Sequence, residues 1–172
     1  AILDLYSSGL ALVSIGVPIK RHQAAIIDAS IMLAGCVYIV WIADNFFYPF
    51  QGFLITLGVP VAVWSAIFVA DVVMRKKAYS EKDLFDSNGL YGSVNKGSIL
   101  LMGIGAIIGW GFVTNTFAPW LEWQGYLLRF IGGKDGAWAY SNIGVIFALL
   151  IGFFGHLILS ARKIKAQESL LS

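Results

Sequence analysis

The sequence predicts an all-α membrane protein, and three observations lead there. Of 172 residues, 58% are hydrophobic and only 13% are charged, where a soluble domain carries about 25% charged residues. Mean hydropathy is +0.77. The apolar residues also gather into five long runs separated by short polar segments. Helix is the expected state of each run, because a backbone in lipid has to satisfy its own hydrogen bonds. The net charge of +2, without a basic and aromatic patch, argues against nucleic acid as a partner. Cys36 is the only cysteine, which excludes an intrachain disulfide and a thiolate metal site; it reads as packing. No basic segment leads into a small-residue cleavage site, so no signal peptide is expected. The chain has neither a starting Met nor a polar N-terminal tail, and is expected to be a piece of a longer protein cut inside a membrane helix. It is read as a single transmembrane unit, residues 1–172.

The expected spans are residues 1–17, 23–43, 50–74, 98–118 and 138–161, judged against the roughly 20 apolar residues that cross a bilayer. The first is read as the end of a longer span, and Asp4 is its only charge. A carboxylate at bilayer depth costs about 2.5 kcal/mol or more and persists where it faces a cavity, a partner or a ligand. Asp4 stands 14 residues before Pro18, which puts it about 21 Å along a helix and near the middle of a hydrocarbon layer ~30 Å thick. Transporters hold substrates and coupling ions at that depth, so Asp4 is the first candidate for substrate binding. In the second span Asp28 reads as local charge balance with Lys20, Arg21 or His22, and Asp44 as an interfacial residue.

The third span carries Thr56-Leu57-Gly58-Val59-Pro60 near its middle. Pro60 removes a helical hydrogen bond, which reads as an ordinary kink or as the broken helix that lines a transport path. Asp71 and Arg75 lie one turn apart, acid first, the better order for an ion pair. They read as a structural pair or a latch at an inner mouth. The fourth span holds Gly105-x-x-x-Gly109, a weak close-packing pattern. The segment Pro119–Phe130 puts Trp120, Trp123, Leu127 and Phe130 near one helical face and is read as a short interfacial helix over 120–130, or as a lid. In the last span His156 reads as a packed or interfacial histidine, with a proton relay as the alternative. Ser80-Glu81-Lys82-Asp83 has the form of a capping box and Asn88-Gly89 that of a tight turn. Two distant histidines make no metal site. No nucleophile elbow, HExxH pair or phosphate loop is visible, so an enzyme is not expected.

Charge sets the orientation. Ten of the twelve basic residues fall in Lys20–Arg21, in the segment from Arg75 to Lys96 and in the tail after Ser160; only Arg129 and Lys134 fall on the other side. The positive-inside rule makes the basic side, and with it the C-terminus, cytoplasmic.

The run Ile2-Leu3-Asp4-Leu5-Tyr6-Ser7-Ser8-Gly9-Leu10 resembles the eighth span of the nucleobase–cation symporter-1 family, which includes purine–cytosine permeases and hydantoin, allantoin and uracil transporters. The resemblance continues through Phe50-Gln51-Gly52-Phe53-Leu54-Ile55-Thr56-Leu57-Gly58-Val59-Pro60, Ala70-Asp71, Asp83-Leu84-Phe85-Asp86, Tyr91-Gly92 and Trp123-Gln124-Gly125-Tyr126. It implies a twelve-span protein with the five-plus-five inverted repeat of the leucine-transporter fold and two further spans. This chain would supply the end of the eighth span and the four that follow, and its partners would be the missing N-terminal spans and the lipid bilayer of the plasma (cell inner) membrane. The implied function is secondary active transport: uptake of a small heterocycle such as cytosine, a purine, uracil, allantoin or hydantoin, coupled to a proton or sodium, with no other cofactor. The family commonly has Asn where Asp4 stands. An Asn side chain donates and accepts, whereas a carboxylate only accepts unless protonated. Thr56, Leu57, Gly58 and Pro60 fall in the family's thin-gate region. A non-transporting membrane subunit or scaffold, and an amino-acid transporter of the same fold, are the alternatives.

Overall fold

The computed structural model describes residues 7, 11, 20–43, 45–84, 86 and 88–170. Its helices are α1 (Arg21–Trp41), α2 (Phe47–Met74), α3 (Glu81–Leu84), α4 (Lys96–Gly111) and α5 (Ile143–Leu170), with 3-10 turns at Pro119–Leu121 and Leu128–Phe130. No strand occurs among the described residues. The protein is all-helical, and α1, α2 and α5 are long and apolar enough to cross a membrane; α4 is a shorter apolar helix. The expected span 1–17 lies outside the described residues except for Ser7 and Ala11, and so does Asp44.

The chain forms two compact units, Ala1–Phe50 and Gln51–Ser172. In the first, α1 opens with the Lys20 N–H donating to Gln23 Oε1 at 3.0 Å. Further along, Asn45 Oδ1 accepts the Tyr48 N–H at 3.0 Å as α2 begins. Pro49 follows in that first turn, where its missing N–H has no helical partner to lose.

The second unit packs through glycine. The buried residues of α5 are Gly144, Ala148, Gly152, His156, Ser160, Ile164 and Gln167, a stripe that advances by four residues, and by three at its last step, and so keeps to one face. On α4 the buried stripe contains Leu101, Gly105 and Gly109. A methyl group on Gly105 would lie 2.8 Å from Val63 Cγ2, and one on Gly109 would strike Val59. Gly144 closes on the Gly109 carbonyl, and a methyl group on Gly152 would lie 2.7 Å from the Val63 carbonyl. These contacts run α4 antiparallel to α2 and α5 and place Val59, Val63, Ile67, Leu101, Val113 and Ala148 in one apolar core. Without a hydrophobic driving force in lipid, such close backbone approach is what holds helices together. The outward faces are also apolar: Val61, Phe68, Leu100, Ile107 and Ile158 are all exposed, as a bilayer or further spans require.

Three elements depart most from the sequence expectation. The span expected over 98–118 is a helix only to Gly111, so its 16 residues reach about 24 Å. The Trp110, Gly111 and Phe112 carbonyls at its end accept the N–H groups of Gly125, Leu127 and Gly144 at 2.9, 2.7 and 3.2 Å. Satisfied this way, the chain can leave the helix while still buried in protein. The β-branched and amide residues Thr114-Asn115-Thr116, poor helix formers, then continue without helix. The last helix starts at Ile143 rather than 138 and runs past 161 to Leu170, carried on by the good helix formers of Ala161–Gln167. The interfacial helix expected over 120–130 is instead two 3-10 turns divided at Gly125, whose φ of +79° is left-handed. Leu121 and Leu128 are buried, and Trp120, Trp123 and Phe130 are exposed.

Candidate functional site

Two polar clusters lie inside the second unit, one beside the middle of α2 and one at its Met74 end. The first surrounds Pro60. Proline has no N–H, so the Thr56 carbonyl one turn earlier loses its helical partner. The Trp110 indole supplies the substitute, with Nε1–H donating to the Thr56 carbonyl at 2.8 Å. The helix therefore continues through Pro60. The Thr56 hydroxyl donates to the Gly52 carbonyl at 2.8 Å and accepts from Asn115 Nδ2 at 3.0 Å and Gln124 Nε2 at 2.7 Å, which fills all three places a hydroxyl offers. Asn115 Nδ2 also donates to the Gly52 carbonyl at 2.8 Å. Asn115 and Gln124 are 1% and 0% exposed.

The second cluster sits at the Met74 end of α2, where α4 begins and α5 nears its end. Asp71 is its centre. Arg75 Nε donates to Asp71 Oδ2 at 2.7 Å, the Tyr79 hydroxyl donates to the same oxygen at 2.5 Å, and His156 Nε2 lies 3.1 Å from Oδ1. His156 is 1% exposed. Its Nδ1 faces two hydroxyls, Ser160 Oγ at 3.2 Å and Ser98 Oγ at 3.5 Å. Arg75 also donates to Gln167 Oε1 at 3.0 Å and lies over the Tyr79 and Tyr91 rings, 4.7 and 5.1 Å from their centroids. Burial, then the hydrogen bond to Asp71, push the Tyr79 phenol above its ordinary range.

The same cluster straps the segment after α2 to the end of α5. Glu168 Oε1 accepts the backbone N–H groups of Lys76 and Lys77 at 2.5 and 3.1 Å. Gln167 Nε2 donates to the Leu90 carbonyl at 3.1 Å, and the Tyr91 hydroxyl accepts the Ser80 N–H at 3.0 Å. Two grooves reach the cluster. One, about 270 Å³, is lined by Trp64, Ile67, Phe68, Asp71, Asn95, Ser98, Ile99, Met102 and His156. The other, about 160 Å³, is lined by Asp71, Arg75, Tyr79, Leu84, Tyr91, Asn95, Ser160, Lys163, Ile164 and Gln167.

Asp4, the candidate substrate ligand, lies outside the described residues. Of the gate-region residues, Thr56 and Pro60 belong to the first cluster, whereas Leu57 is exposed and Gly58 faces open space. Asp71 and Arg75 form an ion pair. Asn115, Trp110, Gln167 and the His156 contact to Asp71 escaped the sequence reading. One rule was available for Trp110: a proline in a membrane helix frees a carbonyl that a neighbouring donor has to meet. The others join residues 59 to 92 positions apart, and no local pattern announces them. Comparison with protein-family profiles, curated proteins and solved structures finds no match to this chain.

Proposed function

We propose that the chain belongs to a secondary active transporter that takes up a nucleobase or related heterocycle with a coupling cation, on the leucine-transporter plan. The observation that carries this reading is the pair of hydrogen-bonded polar clusters along α2, one beside its middle and one at its Met74 end, inside an otherwise apolar unit. A helix that only spans the membrane has no need of them, since polar groups at depth are costly and mark pathways. A helix that gates needs contacts that can be released at one point and kept at another. The order and spacing of the motifs that resemble the nucleobase–cation symporter-1 family supply the substrate class, and Asp4 is assigned to the polar edge of the heterocycle. Gly105 and Gly109 pack on α2 and α5 of their own chain, which favours transport over an assembly scaffold.

The test is uptake of radiolabelled cytosine, purine and allantoin by cells expressing the complete natural reading frame that encodes this chain. Uptake of one of them, with affinity reduced at least tenfold by Asp4→Ala, is expected. Wild-type affinity in Asp4→Ala removes Asp4 from the site, and no uptake of any heterocycle overturns the substrate class.

A further inference from the structure

We infer that His156 is a proton-binding site placed between two grooves, with Nδ1 as the atom that takes and releases the proton. The inference rests on the transport reading for its purpose but not for its chemistry.

Nδ1 faces Ser98 Oγ and Ser160 Oγ. Ser98 lines the larger groove and Ser160 the smaller. The larger groove is also lined by His156 itself, the smaller reaches Nδ1 through Ser160, and Asp71 and Asn95 line both. A serine hydroxyl both donates and accepts, so Nδ1 has a partner in either protonation state. With the ring neutral, Nε2–H donates to Asp71 and Nδ1 accepts a serine O–H. With the ring charged, Nδ1–H donates to a serine oxygen and Nε2–H stays on Asp71. A proton arriving from water in one groove adds to the serine oxygen as that hydroxyl passes its own proton to Nδ1. Release on the other side reverses the step through the second serine, so no proton is gained or lost overall.

Charge is arranged around this change. Asp71, on α2, is the anion at 3.1 Å from Nε2. Arg75 follows α2 and lies on the same carboxylate, Tyr79 donates to it, and Lys163, on α5, lines the smaller groove. From α4 the ring meets the uncharged Ser98, with Lys96 at the exposed start of that helix. One carboxylate is therefore shared between a permanent cation and a conditional one. Protonating the ring weakens the hold of Asp71 on Arg75, which keeps Gln167 and the two tyrosine rings as its remaining contacts. Proton binding in this way bears on the strap that joins the segment after α2 to α5.

His22 and His156 are the histidines of this chain, and in ring ¹⁵N spectra of the natural protein in lipid nanodiscs the signals lost in His156→Gln and in His22→Gln give their assignment. Lowering the pH is expected to add the second proton to the His156 ring. Asp71→Asn is expected to deplete the two-proton form about tenfold at a given pH, the effect of losing one facing opposite charge, and to leave His22 unchanged. A His156 ring that keeps one form as the pH is lowered, or whose response is unaltered in Asp71→Asn, overturns the site. Uptake is measured separately, with the pH dependence of heterocycle entry expected to flatten in His156→Gln. A ring that titrates in a protein that takes up no heterocycle leaves this site standing and removes the transport reading. PH-dependent uptake with an unresponsive ring does the opposite.

Discussion

Single residues in this protein act by completing or refusing hydrogen bonds at depth. Trp110 and Pro60 are the clearest pair, because the indole replaces the N–H that the proline lacks. Trp110→Phe leaves the Thr56 carbonyl unmet, and an unsatisfied buried group costs about 1–3 kcal/mol. The same substitution made together with Pro60→Ala is expected to cost less, because the restored backbone N–H reaches Thr56. Equilibrium unfolding of the four proteins of this cycle in detergent checks it, and equal costs in both backgrounds would show that the indole bond is dispensable. Tyr79 gives a pH-dependent counterpart. Its phenol is raised above the ordinary range by burial and by Asp71. A raised group contributes stability that is complete below its unfolded value, about 10, and is lost as the pH rises through the higher folded value. The strap after α2 is therefore expected to loosen on the alkaline side of pH 10, read as faster hydrogen exchange at the Lys76 and Lys77 amides. Tyr79→Phe is expected to remove the part of that loosening which tracks phenol ionisation.

At the scale of elements, glycine position matters more than glycine count. Gly103 and Gly105 stand two residues apart on α4, yet a methyl group on Gly103 meets nothing within 4 Å while one on Gly105 lies 2.8 Å from Val63. Gly103→Ala is expected to stabilise the helix by about 0.5–1 kcal/mol through propensity alone. Gly105→Ala is expected to destabilise the unit by about 1–3 kcal/mol through overpacking. Thermal unfolding of the two variants side by side decides it, with opposite signs expected. The sequence pattern pointed to Gly105 and Gly109 as a packing pair because a four-residue spacing lies on one face whatever the partner is. The Asp71 and Arg75 pairing was legible for the same reason. The early end of α4 was not: residues 112–118 are apolar enough for lipid, and what stops the helix is the set of amides from Gly125, Leu127 and Gly144 that meet its last carbonyls. The place of His156 was hidden likewise, since Asp71 is 85 positions away and only the packed stripe of α5 brings the two together.

For the whole molecule the question is which way the helices run. In the second unit α2 and α5 run parallel, so the segment after Met74 and the tail after Ser160 lie at one end of the bundle, joined by Glu168 to Lys76 and Lys77 and by Gln167 to Leu90. Those two segments carry Arg75, Lys76, Lys77, Lys82, Lys96, Arg162, Lys163 and Lys165. The segment at the opposite end, between α4 and α5, carries only Arg129 and Lys134. Membrane insertion retains basic segments on the cytoplasmic side, so the strap is expected to face the cytoplasm and the 3-10 turns the exterior. Cys36, the cysteine of this chain, is exposed and is replaced first, together with any cysteine of the remaining spans. In a Cys36→Ser background, Asp135→Cys and Ser169→Cys each introduce one thiol at an exposed position, one at either end of the bundle. A membrane-impermeant maleimide applied to intact cells is expected to label Asp135→Cys directly and Ser169→Cys only after permeabilisation. The reverse pattern would invert the molecule. Labelling of both without permeabilisation would mean that α5 does not cross the bilayer.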